Sequence, residues 1–99
     1  MFVFMVLHYP APGQAVRLAG NMAEMRASLE SRPGCLGVDP PLVTEDGSCL
    51  VGYSRWESRE AFLATGITLR PEGEIPAGEL TPRRRFLLTA AEPGPEAGG

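Results

Sequence analysis

The chain has 99 residues, a net charge of −3 and 43% hydrophobic residues, and its nine basic residues are all arginine. This length predicts one small domain, and the acidic balance argues against a nucleic-acid-binding protein, which is normally basic. The apolar N-terminal run ends at Leu7 and has no basic leader. It is too short for a membrane span or a secretion signal, so we expect a cytoplasmic protein with no membrane partner.

Residues 2–9 are predicted to form the first β-strand. Both of its faces are apolar, since one carries Phe2, Phe4, Val6 and His8 and the other carries Val3, Met5, Leu7 and Tyr9. A strand of this kind is normally covered on both sides. We therefore expect it to be central in its sheet.

Residues 14–31 have helical spacing. Apolar residues recur at steps of three and four positions: Ala15, Leu18, Ala19, Met22, Met25 and Leu29. This pattern predicts an amphipathic helix, which Pro33 and Gly34 end. Asn21 lies on its polar side, where it either faces solvent or reaches a bound substrate.

Residues 35–44 form an extended run that is broken by Asp39-Pro40-Pro41. Because prolines cannot donate a hydrogen bond to a neighbouring strand, this run is expected at the edge of the sheet. Asp46-Gly47 then predicts a tight hairpin, and residues 49–56 form the returning strand.

The hairpin register pairs Thr44 with Cys49 and Cys35 with about Ser58. Two cysteines this far apart are not expected to form a disulfide. With His8 as the single histidine, the chain is not expected to hold a metal ion either. Both cysteines are expected to be buried free thiols.

The remaining elements are a short helix and a last strand. Ser58 is a suitable N-cap for a helix that ends near Gly66. Residues 67–82 contain three prolines and no clear period, which is typical of a lid, a binding loop or an arm. Residues 83–90 have the pattern of a strand, and the tail 91–99 is expected to be disordered.

The element order over residues 1–90 is β-α-β-β-α-β. This order predicts a ferredoxin-like α+β domain, with a four-stranded antiparallel sheet and two helices on one face. The first strand is central in this topology, and the helices cover only one of its two apolar faces. A second copy of the sheet is the simplest cover for the other face, so we expect a homodimer.

The sequence also resembles the antibiotic biosynthesis monooxygenase family of dimeric α+β barrels. The resemblance rests on Pro33-Gly34-Cys35-Leu36-Gly37, on Glu45-Asp46-Gly47 and on WESREAF at residues 56–62, and it covers residues 1 to about 66. It implies that two sheets pack face to face and that each protomer has a pocket between sheet and helices. It also implies an oxygenase without metal or flavin, acting on a phenolic aromatic polyketide whose carbanion reduces oxygen directly.

Other members of this family degrade haem, and the sequence departs from them. The resemblance would require a histidine ligand after the second helix and an asparagine on the first strand. Residues 67–82 contain no histidine, and the first strand has Leu7-His8 at the relevant position. Haem degradation is therefore not expected.

His8 and Arg55 are the candidate catalytic residues. Histidine titrates near neutral pH and can act as a general base, whereas arginine can stabilise an enolate or a phenolate. The alternative for His8 is a partly buried histidine that bonds to a backbone carbonyl. The alternative for Arg55 is a position in the dimer interface.

Tyr9, Asn21, Tyr53 and Trp56 are the candidate substrate-binding residues. Tyr53 shares its strand face with Arg55, so the same interface alternative applies to it. Trp56 either packs under the second helix or forms a wall of the pocket. Packing is the favoured interpretation, because large aromatic side chains chiefly supply buried area.

Arg83-Arg84-Arg85 has the composition of an anion site, but pairing with Glu72, Glu74 and Glu79, or a role in solubility, explains it better.

The sequence leaves two functions open. One is a cofactor-independent monooxygenase, or a related small-molecule enzyme, acting on an apolar aromatic substrate. The other is a non-catalytic dimeric protein that binds a ligand or a partner protein.

Overall fold

The computed structural model describes residues 1–67 and 71–91. The strands are β1 (Phe2–His8), β2 (Cys35–Val38), β3 (Leu42–Val43), β4 (Leu50–Trp56) and β5 (Arg84–Thr89), and the helices are α1 (Ala15–Glu30) and α2 (Arg59–Leu63). Apart from Ala91, the tail that was expected to be disordered lies outside the described residues, as do residues 68–70 of the irregular segment.

The strands form one antiparallel sheet in the order β2-β4-β1-β5. β1 pairs with β4 on one side and with β5 on the other, so its predicted central position is confirmed. Leu29 of α1 and Phe62 of α2 share one core cluster with Phe2 of β1. Both helices therefore lie on the same face, which confirms the predicted α+β fold.

The predicted second strand is divided in two, so the sheet has five strands rather than four. Pro40 and Pro41 follow β2, and neither has an N–H group to donate to β4. The ladder stops there and resumes at β3, which pairs with β4 through Leu42 and Val43. The prolines interrupt the edge of the sheet, as their chemistry requires.

The division of the edge strand also changes its register. The backbone N–H of Thr44 donates to the carbonyl of Cys49 at 3.0 Å, as the hairpin predicted. Cys35, however, lies opposite Trp56 rather than near Ser58, because the register of the β2–β4 ladder shifts within β2. Both cysteines are free thiols.

The start of α2 follows the expected capping chemistry. The Ser58 hydroxyl accepts a hydrogen bond from the backbone N–H of Ala61 at 3.1 Å, which satisfies a donor in the first turn. Gly34 has a φ of +80°, and a Cβ at this position would lie 2.6 Å from the Cβ of Ala61. Glycine is thus required both for the turn after α1 and for the close approach of α2.

The core is centred on Trp56, whose side chain is completely buried. Its indole N–H donates to the hydroxyl of Ser54 at 2.9 Å. Phe62 meets the indole edge-on at 5.8 Å and stacks on Phe4 at 4.8 Å. Trp56 therefore packs under α2, in the position that the sequence favoured.

The opposite face of the sheet is also largely apolar. The pairing register places Met5 of β1, Tyr53 of β4 and Phe86 of β5 side by side on this face. Leu88, two residues further along β5, is 41% exposed. Neither described helix is long and apolar enough to cross a membrane.

Candidate active site

A cavity of about 270 Å³ lies between the sheet and α1. Its apolar lining includes Phe4, Val6, Leu18, Met22, Met25 and Leu29. Residues between positions 71 and 83 close one side of it. A cavity of about 150 Å³ holds one benzene ring, so this one has room for roughly two or three fused rings.

Gly52 of β4 lies in the floor of this cavity. A Cβ at this position would lie 3.0 Å from Cγ1 of Val6 and 3.4 Å from Cε of Met22. Glycine inside a strand often marks a place where another group approaches the backbone closely. The missing side chain lets Val6 and Met22 pack close to the backbone of β4.

His8, at the end of β1, lines the cavity and is 6% exposed. Its Nδ1 lies 3.4 Å from Oε1 of Glu79, whose side chain is fully buried. This distance is longer than a well-formed hydrogen bond, and Nδ1 has no hydrogen-bond partner in the described part of the chain. Because Nδ1 is directed at Glu79, Nε2 is the nitrogen that remains available to a ligand.

Arg83 holds the Glu79 carboxylate from the other side. Its Nε lies 3.0 and 2.9 Å from the two carboxylate oxygens, and its Nη2 lies 2.7 Å from Oε2. The side chain of Arg83 is 28% exposed and also lines the cavity. This bidentate pair provides the counter-charge that a fully buried carboxylate requires.

The environment of His8 favours its neutral form. Burial lowers the pKa of His8 below the ordinary value of 6.5, and the positive charge of Arg83 lowers it further. Glu79 acts in the opposite direction but does not reverse the shift. A neutral imidazole at pH 7 can accept a proton, as a general base must.

Backbone hydrogen bonds hold the segment that carries Glu79 against the end of β1. The N–H of Leu80 donates to the carbonyl of Tyr9 at 2.7 Å, and the N–H of Ala11 donates to the carbonyl of Gly78 at 2.8 Å. Glu79 itself forms a β-bridge with Pro10. These contacts fix the carboxylate beside the imidazole.

Two other arginines line the cavity, in different environments. Arg26 of α1 donates from Nε to the carbonyl of Val38 at 2.8 Å and lies 3.1 Å from the carboxylate of Glu30. Arg85 of β5 is half-buried and lies opposite Val6. It has neither a hydrogen bond nor an ion pair with any described residue.

Three candidate residues lie on the helical side of the sheet, Trp56 in the core and His8 and Asn21 at the cavity. His8 and Asn21 both line the cavity, but they differ in accessibility. His8 is buried inside it, whereas Asn21 is exposed and lies on α1. Asn21 is therefore a residue of the rim.

Tyr53 and Arg55 lie with their side chains on the other face of the sheet. Tyr53 borders the cavity, but its pairing with Met5 leaves only its backbone on that side. Arg55 pairs with Val3, and its guanidinium lies over Gly37, where a Cβ would come within 2.7 Å of Nη2. Both side chains therefore point away from the cavity.

Tyr9 and Trp56 are not among the residues that line the cavity. Tyr9 contributes its carbonyl to the attachment of Leu80, and Trp56 belongs to the core under α2. The structure thus brings His8 and Asn21 together at the cavity and separates them from the side chains of the other four candidates.

The sequence interpretation did not include Glu79 and Arg83 in the site. Their pairing was expected from the acidic segment that precedes the three arginines, and the Arg83–Glu79 contact agrees with that expectation. The Arg83–Glu79 pair lies beside His8 because of the path that residues 71–82 take. No pattern among neighbouring residues of the sequence indicates that path. Among residues 1–67 and 71–91, no group of three or more His, Cys, Asp or Glu side chains could hold a metal ion.

Solved structures with the same fold include three oxygenases. The first is an antibiotic biosynthesis monooxygenase, with a TM-score of 0.74, 18% identity and coverage of 93% of this chain and 100% of that chain. The second is a variant of SnoaB, a cofactor-independent oxygenase from Streptomyces nogalater, with a TM-score of 0.66, 18% identity and coverage of 95% and 97%. The third is the monooxygenase from the gene ActVA-Orf6 of Streptomyces coelicolor, solved with nanaomycin D, with a TM-score of 0.62, 18% identity and coverage of 92% and 88%.

At these identities the likeness concerns the fold. No curated protein matches the sequence. The model of the family described as antibiotic biosynthesis monooxygenase matches residues 1–65, which is well over half of the chain. The protein therefore belongs to the antibiotic biosynthesis monooxygenase family.

Proposed function

We propose that the protein is a cofactor-independent monooxygenase that oxidises a planar, apolar phenolic compound in the cavity. The observation that carries this proposal is the buried contact between His8 and Glu79 in a mainly apolar cavity. Membership of the family and the likeness in fold to SnoaB, a cofactor-independent oxygenase, support the type of reaction.

In the proposed reaction, Nε2 of His8 removes a proton from a CH₂ group that is activated by a carbonyl and aromatic rings, as in an anthrone. The carbanion transfers one electron to O₂, and the carbon radical and superoxide then combine through a C–O bond. The resulting peroxide anion takes the proton back from Nε2 of His8, which regenerates the neutral imidazole, and the hydroperoxide then loses water. One CH₂ group and one O₂ thus become one C=O group and one H₂O, with O₂ as the only oxidant.

The charged side chains around His8 have distinct roles in this proposal. Glu79 orients the imidazole so that Nδ1 carries the hydrogen and Nε2 accepts the proton. Arg83 balances the charge of Glu79, and the lowered pKa of His8 keeps the base neutral before the reaction. The apolar wall excludes water, which strengthens the interaction between the imidazolium and the carbanion.

Oxygen uptake with anthrone as the substrate tests this function. We expect uptake by the wild-type protein and a fall of about 10²- to 10⁴-fold in His8→Ala, the usual contribution of a general base. Val16→Ala, at a position of α1 that is 87% exposed, is the control. Circular dichroism checks that both variants fold.

Two results would contradict the proposal: no uptake by the wild-type protein, or unchanged uptake by His8→Ala. Binding of an aromatic ligand without oxygen uptake would instead identify a ligand-binding protein, the second function that the sequence leaves open.

We also propose that the protein is a homodimer formed through the sheet face that is turned away from the helices. This face carries Met5, Tyr53 and Phe86, and Leu88 beside them is 41% exposed. Burial of such side chains favours association. Sedimentation at micromolar concentration is expected to give a dimer, and Leu88→Arg is expected to give a monomer. A folded wild-type monomer contradicts the proposal.

A further inference from the structure

Arg85 is the one arginine on the cavity wall whose charge has no partner among the described residues. It lies on the helical face of β5, directly opposite Val6 of the cavity wall. Its side chain is half-buried, so water hydrates the guanidinium only in part. A partly buried cation without a counter-charge is costly unless a ligand supplies that charge.

The charges near Arg85 leave a net positive charge at the β5 end of the cavity. Arg83 and Glu79 compensate each other in a bidentate pair, and neutral His8 adds nothing. Arg85 therefore contributes one uncompensated positive charge, which one anionic group of a ligand could balance.

The acidic residues elsewhere on the cavity wall do not compensate Arg85. Asp39 follows β2, at the opposite edge of the sheet from β5. Three strand spacings, roughly 14 Å, separate these two edges. Glu74 is engaged in an interaction of its own, and it has no ion pair with Arg85.

We propose that Arg85 forms an anion subsite and that the ligand is a planar aromatic carboxylate. The guanidinium of arginine presents two parallel N–H donors that match the two oxygens of a carboxylate. The rings then lie on the apolar wall between Val6 and Met22, with His8 at the same end of the cavity as Arg85. This subsite deepens the proposed function, because it specifies the class of substrate.

A pair of ligands with the same shape and different charge tests the subsite. 2-Naphthoate and 2-naphthamide have the same two rings, and only the first is an anion at pH 7. We expect naphthoate to bind the wild-type protein about tenfold more tightly, the usual effect of a charged hydrogen bond. Titration calorimetry at low salt measures both affinities, and added salt should reduce the difference.

Arg85→Gln should abolish this preference and leave the affinity for naphthamide unchanged. Arg84→Gln removes the same charge from the neighbouring position of β5, whose side chain lies over Phe86 on the other face of the sheet, and should keep the preference. Arg85→Lys, which keeps the charge and loses the paired donors, should keep part of it.

Equal affinity of the wild-type protein for the two ligands, or binding of neither, would overturn the subsite. So would loss of naphthamide binding in Arg85→Gln, which would indicate a structural role. These measurements need no turnover, so they remain decisive if anthrone oxidation fails.

Discussion

Nδ1 of His8 and Oε1 of Glu79 lie 3.4 Å apart, although one residue ends the first strand and the other precedes the last strand. His8 lies within the part of the chain that matches the family, residues 1–65, and Glu79 lies beyond it. The contact therefore joins the shared scaffold to a segment that the family model does not describe. The chemistry of the cavity depends on both.

Loss of Arg83 should destabilise the protein more than loss of Glu79. Arg83→Met leaves a fully buried carboxylate without its bidentate partner, at a cost of about 3–4 kcal/mol. Glu79→Gln leaves an arginine that is 28% exposed and partly hydrated, at a cost of about 1–2 kcal/mol. Urea unfolding measures both values.

Glu72→Gln, at an exposed position of the same segment, is the control for this pair and should change the free energy of unfolding by less than about 0.5 kcal/mol. Two results would contradict this prediction: an equal loss of unfolding free energy in Arg83→Met and Glu79→Gln, or a larger loss in Glu79→Gln. Either result would show that the burial of the Glu79 carboxylate does not determine the cost of breaking the pair.

The stability of the protein should fall as the pH falls below 6.5. Because the pKa of His8 is lower in the folded protein than its ordinary value of 6.5, the unfolded chain binds more protons between these two values. The stabilisation of the folded protein by neutral His8 is complete above pH 6.5. It is lost as the pH falls from 6.5 to the lower pKa that His8 has in the folded protein. NMR titration of the imidazole and urea unfolding across this range measure the effect.

His8→Gln is the control for the pH dependence. Without the imidazole, the free energy of unfolding should change less with pH below 6.5. A histidine resonance that titrates at or above pH 6.5 in the folded protein would contradict the prediction.

Gly52→Ala should weaken the binding of aromatic ligands. The added methyl group would lie 3.0 Å from Cγ1 of Val6 and 3.4 Å from Cε of Met22, so it would push these two side chains of the cavity wall out of place. We expect the affinity for naphthamide to fall by about tenfold, with a loss of roughly 1–2 kcal/mol in stability from crowding. Gly20→Ala, on α1 with nothing within 4 Å of the new methyl, is the matched control.

The control should bind naphthamide normally and should be more stable by about 0.5–1 kcal/mol, because alanine favours the helix. Unchanged ligand binding in Gly52→Ala would show that the ligand does not use the floor between β1 and β4.

Trp56→Phe should destabilise the protein by about 2–3 kcal/mol. The smaller ring leaves a void against Phe62, and the hydroxyl of Ser54 loses the indole N–H at 2.9 Å. Urea unfolding followed by circular dichroism measures the change. Met25→Ala, at a position that is 51% exposed, should cost less than about 1 kcal/mol. If the two variants lost similar amounts, Trp56 would not be the centre of the core.

Local patterns along the chain were sufficient to predict most of the scaffold. The two apolar faces of residues 2–9 predicted a central strand, and the prolines after Val38 predicted an edge strand. Ser58 predicted the start of α2. Each prediction rests on a property that neighbouring residues express together, such as alternation, a missing N–H group or a capping hydroxyl.

The arrangement of the site was harder to predict, because it depends on contacts between distant parts of the chain. The pairing of Tyr53 with Met5 decides which way its ring points, and the path of residues 71–82 decides where Glu79 lies. Alternation alone showed that Tyr53 and Arg55 share a face, but it did not show which face the helices cover. The hairpin signal likewise did not reveal the register shifts along the edge strand, which place Cys35 opposite Trp56.

The way residues 71–82 are attached has a consequence for how relatives diverge. The bonds from Leu80 to Tyr9 and from Ala11 to Gly78 join backbone atoms only. Such bonds tolerate exchange of the side chains between them. Selection could therefore replace Glu79 together with its partner Arg83 while the backbone of this segment stays attached to the end of β1. Transplanting this terminal third between homologues should transfer substrate preference along with it.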